Sequence, residues 1–193
     1  MKKFFLISLT LLFAASISAQ EIDTGKNAFG FGSPVIKLTK ISKEFGILIG
    51  ARGGWVIDEK FIIGGGGYGL LMSNDVEINP NDPKAKINFG YLGFELEYAV
   101  VKNNLFSVSL ITLVGGGALS FTEIKTGLDL QRKNLSDTFI IVEPGINVYL
   151  NVMKALSIGT GISYRFLSEE KSGYPYKIDI TGLSVGVNFR FGY

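Results

Sequence analysis

Every second residue of the closing stretch "TGLSVGVNFRFGY" (181–193) is large and apolar: Leu183, Val185, Val187, Phe189, Phe191 and Tyr193. The residues between them, Gly182, Ser184, Gly186, Asn188, Arg190 and Gly192, are small or polar. A period of two is the signature of a β-strand whose two faces meet different surroundings. Upstream, "LSIGTGISYRF" (156–166) repeats it, with Leu156, Ile158, Thr160, Ile162, Tyr164 and Phe166 against Ser157, Gly159, Gly161, Ser163 and Arg165. In 139–151, Ile140, Val142, Pro144, Ile146, Val148 and Leu150 oppose Glu143, Gly145, Asn147 and Tyr149. In 92–98, Leu92, Phe94, Leu96 and Tyr98 oppose Gly93, Glu95 and Glu97. In 45–55, Phe45, Ile47, Ile49, Ala51 and Trp55 oppose Gly46, Gly50, Arg52 and Gly54, with Leu48 an exception on the second face.

Three more segments read as strands with weaker alternation: 28–38, 61–72 and 105–121. Pro34 sits in the first, and apolar residues occupy both parities there, which predicts a bulge or an edge irregularity. The second contains Gly64 to Gly67, and its facing is undecided by pattern. The third lies within an uncharged run from Leu105 to Thr122, long enough to rival a membrane-crossing helix. Gly115, Gly116 and Gly117, with Ser107, Ser109 and Thr112, favour strand instead. Eight strands result. Short connections at 58–60, 102–104 and 153–154 alternate with the segments 39–44, 73–86, 122–137 and 168–177. An up-and-down meander then gathers the short turns and both chain ends at one end of the barrel.

Which face is wet follows from side-chain size. A soluble barrel turns its apolar face inward, and a membrane barrel inverts this. The polar face here is mostly Gly and Ser, a poor surface for a soluble protein, where long charged residues make up roughly 25–35%. Small residues are what the narrow lumen of eight strands requires. Arg52, Glu95, Glu97, Glu143, Arg165 and Arg190 share that face, and an Arg turned to mid-bilayer lipid would cost about 2–4 kcal/mol. Inside, three arginines and three glutamates can neutralise one another. The opposite face carries Trp55, Tyr98, Phe106, Phe166 and Tyr193 near strand ends, as an interfacial girdle would. The expected fold is all-β, an eight-stranded antiparallel up-and-down transmembrane β-barrel. A soluble ligand-binding barrel of lipocalin type is the inside-out rival.

In this architecture the chain resembles the small eight-stranded outer-membrane β-barrels of Gram-negative bacteria, of the OmpX and OmpA-barrel type. The resemblance extends over the chain after its first 19 residues but is architectural rather than a match to one member. It implies that the aromatic end, Phe189, Phe191 and Tyr193, is the signal read by the barrel assembly machinery. Tyr193 stands where Phe is commoner.

The first residues are of another kind. Lys2 and Lys3 precede an apolar run at 4–13 and the small residues "AASISAQ", the pattern of a secretory signal peptide cut after Ala19. The run is shorter than the roughly 20 residues that a spanning helix needs. The expected division is thus 1–19 signal peptide and 20–193 barrel. The full chain of 193 residues carries 19 basic and 17 acidic residues; loss of Lys2 and Lys3 makes them equal. No basic patch suited to nucleic acid is left.

There is no cysteine and no histidine. That excludes lipoprotein acylation, Cys nucleophiles, Ser-His-Asp triads and His-bound metals. Glu95 and Glu97 share a face about 7 Å apart, within reach for acid–base work, but pairing with interior Arg is the preferred reading. "GGGGYG" (64–69) lacks the Lys-Ser/Thr of a phosphate loop and reads as crowded strand backbone. Asp75, Glu77 and Asp82 lack EF-hand spacing, and Tyr174 and Tyr176 suit a recognition surface or a membrane interface equally. No cofactor, metal or catalytic residue is expected. The functional expectation is a non-enzymatic protein embedded in outer-membrane lipid, its interior plugged by side chains, acting through external loops on a ligand the sequence does not name. The alternative is a narrow channel or a carrier for small solutes, opened by rearranging arginines against glutamates.

Overall fold

Eight antiparallel strands close on themselves in the computed structural model, which describes residues 28–41, 44–73, 85–123, 134–168 and 180–192. They are β1 (Ala28–Ile41), β2 (Glu44–Ile57), β3 (Phe61–Ser73), β4 (Ala85–Lys102), β5 (Phe106–Glu123), β6 (Asn134–Met153), β7 (Leu156–Leu167) and β8 (Gly182–Phe191). Each pairs with its sequence neighbours and β8 returns to β1, so the sheet is an up-and-down meander without edges. The uncharged run at 105–122 is strand β5. The proposed signal peptide lies outside the described residues.

Tight turns gather at one end. Asp58 and Glu59 link β2 to β3 with φ of 50° and 61°, a left-handed pair whose twist matches that of the strands. Asn103 Oδ1 accepts from the backbone N–H of Leu105 and Phe106 and so folds the β4–β5 turn. Ala28 pairs with Ile57 and Phe191 with Leu156, which brings both ends of the barrel to this turn end. At the opposite, loop end, the expected long first connection is corrected. β1 and β2 run on to Ile41 and Glu44, leaving only 42–43 between them, because Thr39 and Ile41 continue the inward-facing row.

The irregularity expected at Pro34 is not a bulge. Pro34 pairs with Ala51 in an unbroken β1–β2 register, but the β1–β8 ladder stops at Gly32–Phe191 and resumes at Val35–Asn188. Pro144 does the same in β6. It pairs with Thr112 on β5, while the β6–β7 ladder breaks between Val142–Phe166 and Gly145–Ser163. A proline has no N–H to give, so one flanking ladder opens at each. The register shifts lie elsewhere, at Ile47/Leu48, Ala99/Val101 and Asn151/Met153.

Large apolar side chains clothe the outside. Leu92, Phe94 and Leu96 of β4, Leu110 and Val114 of β5, Ile146 and Val148 of β6, and Ile158 and Ile162 of β7 are all exposed, Phe94 by 81%. Water would not tolerate a closed belt of this size, whereas hydrocarbon accepts it without cost. Trp55, Phe61, Tyr98, Phe106, Phe189 and Phe191 ring its turn end, and Phe45, Tyr164 and Phe166 mark its other side.

The strands are of unequal height. A tilted strand needs roughly 9–11 residues to cross the hydrocarbon. β8 has 10 and β7 has 12, but β4 and β5 have 18 each and β6 has 20. With the turns level, the excess of β4, β5 and β6 stands beyond the belt as a tall wall. There the facing rule reverses. Ile87, Phe89, Leu119 and Phe139 point inward and are buried with Ile41 and Ile180, while Lys40, Asn88 and Thr138 point out; Leu48 and Ile141 join this core from the edge of the belt, where Ile49, Ile140 and Val142 still face outward. This crown is patterned like a soluble barrel. It accounts for the alternation of 92–98 continuing back to Ala85 with its polarity exchanged.

Candidate functional site

The lumen within the belt holds one connected chain of charges. Glu97 of β4 is its hub. It accepts from Arg52 Nη2 at 2.6 Å, from Arg190 Nη2 at 2.8 Å and from Ser109 Oγ at 2.6 Å. Arg52 Nη1 donates to the Tyr149 hydroxyl, and the Arg190 guanidinium lies 3.9 Å from the centre of the same ring. Arg52 Nε stands 2.6 Å from Glu95 Oε2 without aiming its hydrogen there, an ion pair rather than a forked hydrogen bond. Glu95 accepts from the Tyr68 hydroxyl at 2.8 Å, and Lys37 Nζ sits 3.7 Å above the Tyr68 ring. Lys37 then donates to Glu143 at 2.7 Å, and Glu143 also accepts from Tyr91 and Ser163. From Arg190 to Glu143 the links are continuous, with Tyr68 as the bridge.

Glycines make the room. A methyl at Gly66 would run into the Glu95 carboxylate, and one at Gly50 would lie 2.5 Å from the Tyr68 ring. The "GGGGYG" segment is therefore strand backbone thinned for its neighbours, with Tyr68 its inward-pointing member. Among the described residues no cluster of acids is arranged for a metal, and each interior carboxylate is already bonded to a cation or a hydroxyl.

All six charged residues singled out from the sequence are buried in the lumen. The expected pairing of three arginines with three glutamates is corrected in two respects. Glu143 takes Lys37, not an arginine. Arg165, 0% exposed, forms an ion pair with none of the described carboxylates. It donates to the Ile180 carbonyl and the Thr39 hydroxyl, with its guanidinium 5.1 Å from the Phe89 ring. Lys37 escaped the sequence reading because β1 carries apolar residues on both parities. Its shared parity with Ser33 and Thr39 was the available signal.

Two short apolar layers enclose the charges. The crown lies toward the loop end, and Phe31, Val56 and Ile62 cluster toward the turns. Among the described residues, two small spaces adjoin these charges. One of about 40 Å3 lies beside Lys37, Arg52, Glu143 and Asn188, and one of about 20 Å3 lies beside Glu97, Ser109, Ser157 and Arg190. A water needs about 10–15 Å3 of such space, so each holds very few. Phe189 and Phe191 lie on the outer face at the turn end. Tyr193, Asp75, Glu77, Asp82, Tyr174 and Tyr176 lie outside the described residues.

Similar structures share this architecture at low identity. Neisserial surface protein A is 11% identical with a TM-score of 0.61, over 86% of this chain and 97% of its own. The N-terminal β-barrel domain of Pseudomonas aeruginosa OprF is 10% identical with a TM-score of 0.54, over 87% and 98%. The attachment invasion locus protein Ail of Yersinia pestis, in complex with the heparin analogue sucrose octasulfate, is 10% identical with a TM-score of 0.50, over 86% and 97%. No protein-family model matches the chain, nor does any curated protein sequence. At this identity the likeness is one of fold: this chain has the eight-stranded transmembrane barrel of small outer-membrane proteins.

Proposed function

We propose that this chain is an integral outer-membrane protein with a plugged lumen, which acts through its external face and carries no enzymatic activity of its own. The observation that supports a plug is the stacking of the interior. An apolar crown, a bonded chain of charges and a second apolar cluster succeed one another, and the spaces between them admit only a few waters. Moving any charge of the chain breaks a buried ion pair, a cost of about 3–5 kcal/mol, so the closed state is strongly favoured. Support for an external role comes from the tall wall of β4, β5 and β6. It carries the strand ends at Ala85, Glu123 and Asn134 beyond the belt, on the side where a ligand of the external face would be met. Phe189, Phe191 and Tyr193 serve the barrel assembly machinery during insertion, and the outer apolar belt then meets outer-membrane lipid.

Planar-bilayer recording of the purified barrel tests the plug. The expected record is flat for the wild type. Discrete steps that change with Glu143→Ala would replace this reading with the narrow channel or small-solute carrier. Fractionation with boiled and unboiled gels tests the location, and a soluble protein without a heat-dependent shift in mobility would overturn it.

A further inference from the structure

The barrel wall is not equally fastened all round. The ladder between β7 and β8 is unbroken from Leu156–Phe191 to Arg165–Gly182. Both ladders that attach this hairpin to the rest of the barrel are interrupted, by Pro34 on the β1 side and by Pro144 on the β6 side. The interior tells the same story independently. No buried apolar residue of either core cluster belongs to β7 or β8. Their inward side chains are Ser157, Gly159, Gly161, Ser163 and Arg165 on β7, with Leu167 at its loop end partly buried against the core, and Ser184, Gly186, Asn188 and Arg190 on β8. Both cavities also abut the hairpin, the larger at Gly161, Ser163, Gly186 and Asn188, the smaller at Ser157 and Arg190. Asn188 Oδ1 is buried there with no hydrogen-bond partner.

We infer that the β7–β8 hairpin is the movable stave of the barrel, which swings as a unit about its two proline-interrupted seams. Its fastenings are polar and few. By register each broken stretch sets one interior arginine beside its proline: Ser33 lies opposite Arg190 and Pro34 opposite Phe189, while Glu143 lies opposite Arg165 and Pro144 opposite Tyr164. Arg190 reaches across the lumen to Glu97, and Arg165 holds Thr39 and the Ile180 carbonyl. Ser163 to Glu143, Ser184 to Thr39, Thr39 to the Leu183 carbonyl and Ser157 to Asn151 add to them. Apart from the buried Arg190–Glu97 ion pair, these are hydrogen bonds of hydroxyls and a backbone carbonyl, which water can replace at little net cost, whereas pulling an apolar core apart has no such replacement. Cooperative units with few buried apolar contacts open most easily. By contrast, β4 and β5 are joined over their whole length apart from one shift and supply Ile87, Phe89, Tyr91, Leu113 and Leu119 to the core.

Hydrogen exchange on the intact, detergent-solubilised wild-type barrel tests this without any variant. The β7 and β8 amides are expected to exchange together and roughly tenfold or more faster than those of β4 and β5. Equal protection in the two hairpins would overturn the proposal. A second measurement uses the absence of native cysteine. Ile36→Cys with Val187→Cys places a disulfide on paired outward positions of β1 and β8. Bolting that seam is expected to slow exchange along the whole of β8 and also of β7, which the disulfide does not touch. Slowing confined to the immediate neighbours of the two cysteines would mean local fraying rather than a moving unit, and would also sink the idea.

Discussion

The crown and the belt are built from the same strands with opposite rules. In the belt, β4 turns Leu92, Phe94 and Leu96 outward and Glu95 and Glu97 inward. A few residues earlier it turns Asn88 outward and Ile87 and Phe89 inward. Nothing in the backbone changes between the two; the period of two runs through without a break. What changes is the solvent. Hydrocarbon makes apolar side chains free to face out and charges obliged to face in, and water reverses both terms. The exchange of polarity along a strand thus marks where the membrane ends.

Five substitutions would break or sharpen that contrast. The largest effect belongs to the belt interior. Glu97→Ala leaves Arg52 and Arg190 without their shared carboxylate and is expected to cost about 3–5 kcal/mol, read by urea unfolding of the refolded barrel. Next comes the crown interior, where Ile87→Ala is expected to cost about 2–5 kcal/mol. Because that loss arises above the hydrocarbon, it should be the same in micelles and in bilayers; a strong dependence on lipid would place the crown inside the membrane. On the outer face, Phe94→Arg is expected to cost about 2–4 kcal/mol in bilayers, while Asn88→Arg on the same strand and face stays within about 0.5 kcal/mol. Equal costs at the two positions would dissolve the distinction between crown and belt. The smallest effect lies outside both. Glu59→Gly relieves a left-handed backbone that a side chain disfavours, and a gain of up to about 1 kcal/mol is expected in the same unfolding measurement.

Much of this was legible in the sequence because each clue was local. The period of two gave the strands, and the Gly and Ser of one parity gave the lumen. The charges of Arg52, Glu95, Glu97, Glu143, Arg165 and Arg190 fell on the correct side by counting alone. What pattern could not deliver was partnership. Lys37 and Glu143 are 106 residues apart and meet only because closure sets β1 near β6 across the lumen. The crown was hidden for a different reason: a reading that fixes one face as apolar sees a change of solvent as the end of a strand. Thus the alternation is followed only over 92–98, and residues 85–86 fall to the connection 73–86. The gaps at Pro34 and Pro144 are of a third kind. Sequence locates the missing N–H, but only the register shows which neighbour loses the bond.

The unequal height of the wall has a mechanical consequence. In a ring of eight, β5 stands opposite β1, so the tall side is diametrically across from the β1–β8 closure. Anything gripping the tip of β5 pulls off the axis of the barrel. Such a load acts on the molecule as on a lever, tipping it in the plane of the membrane about its girdle of aromatic side chains, and the low side receives the thrust.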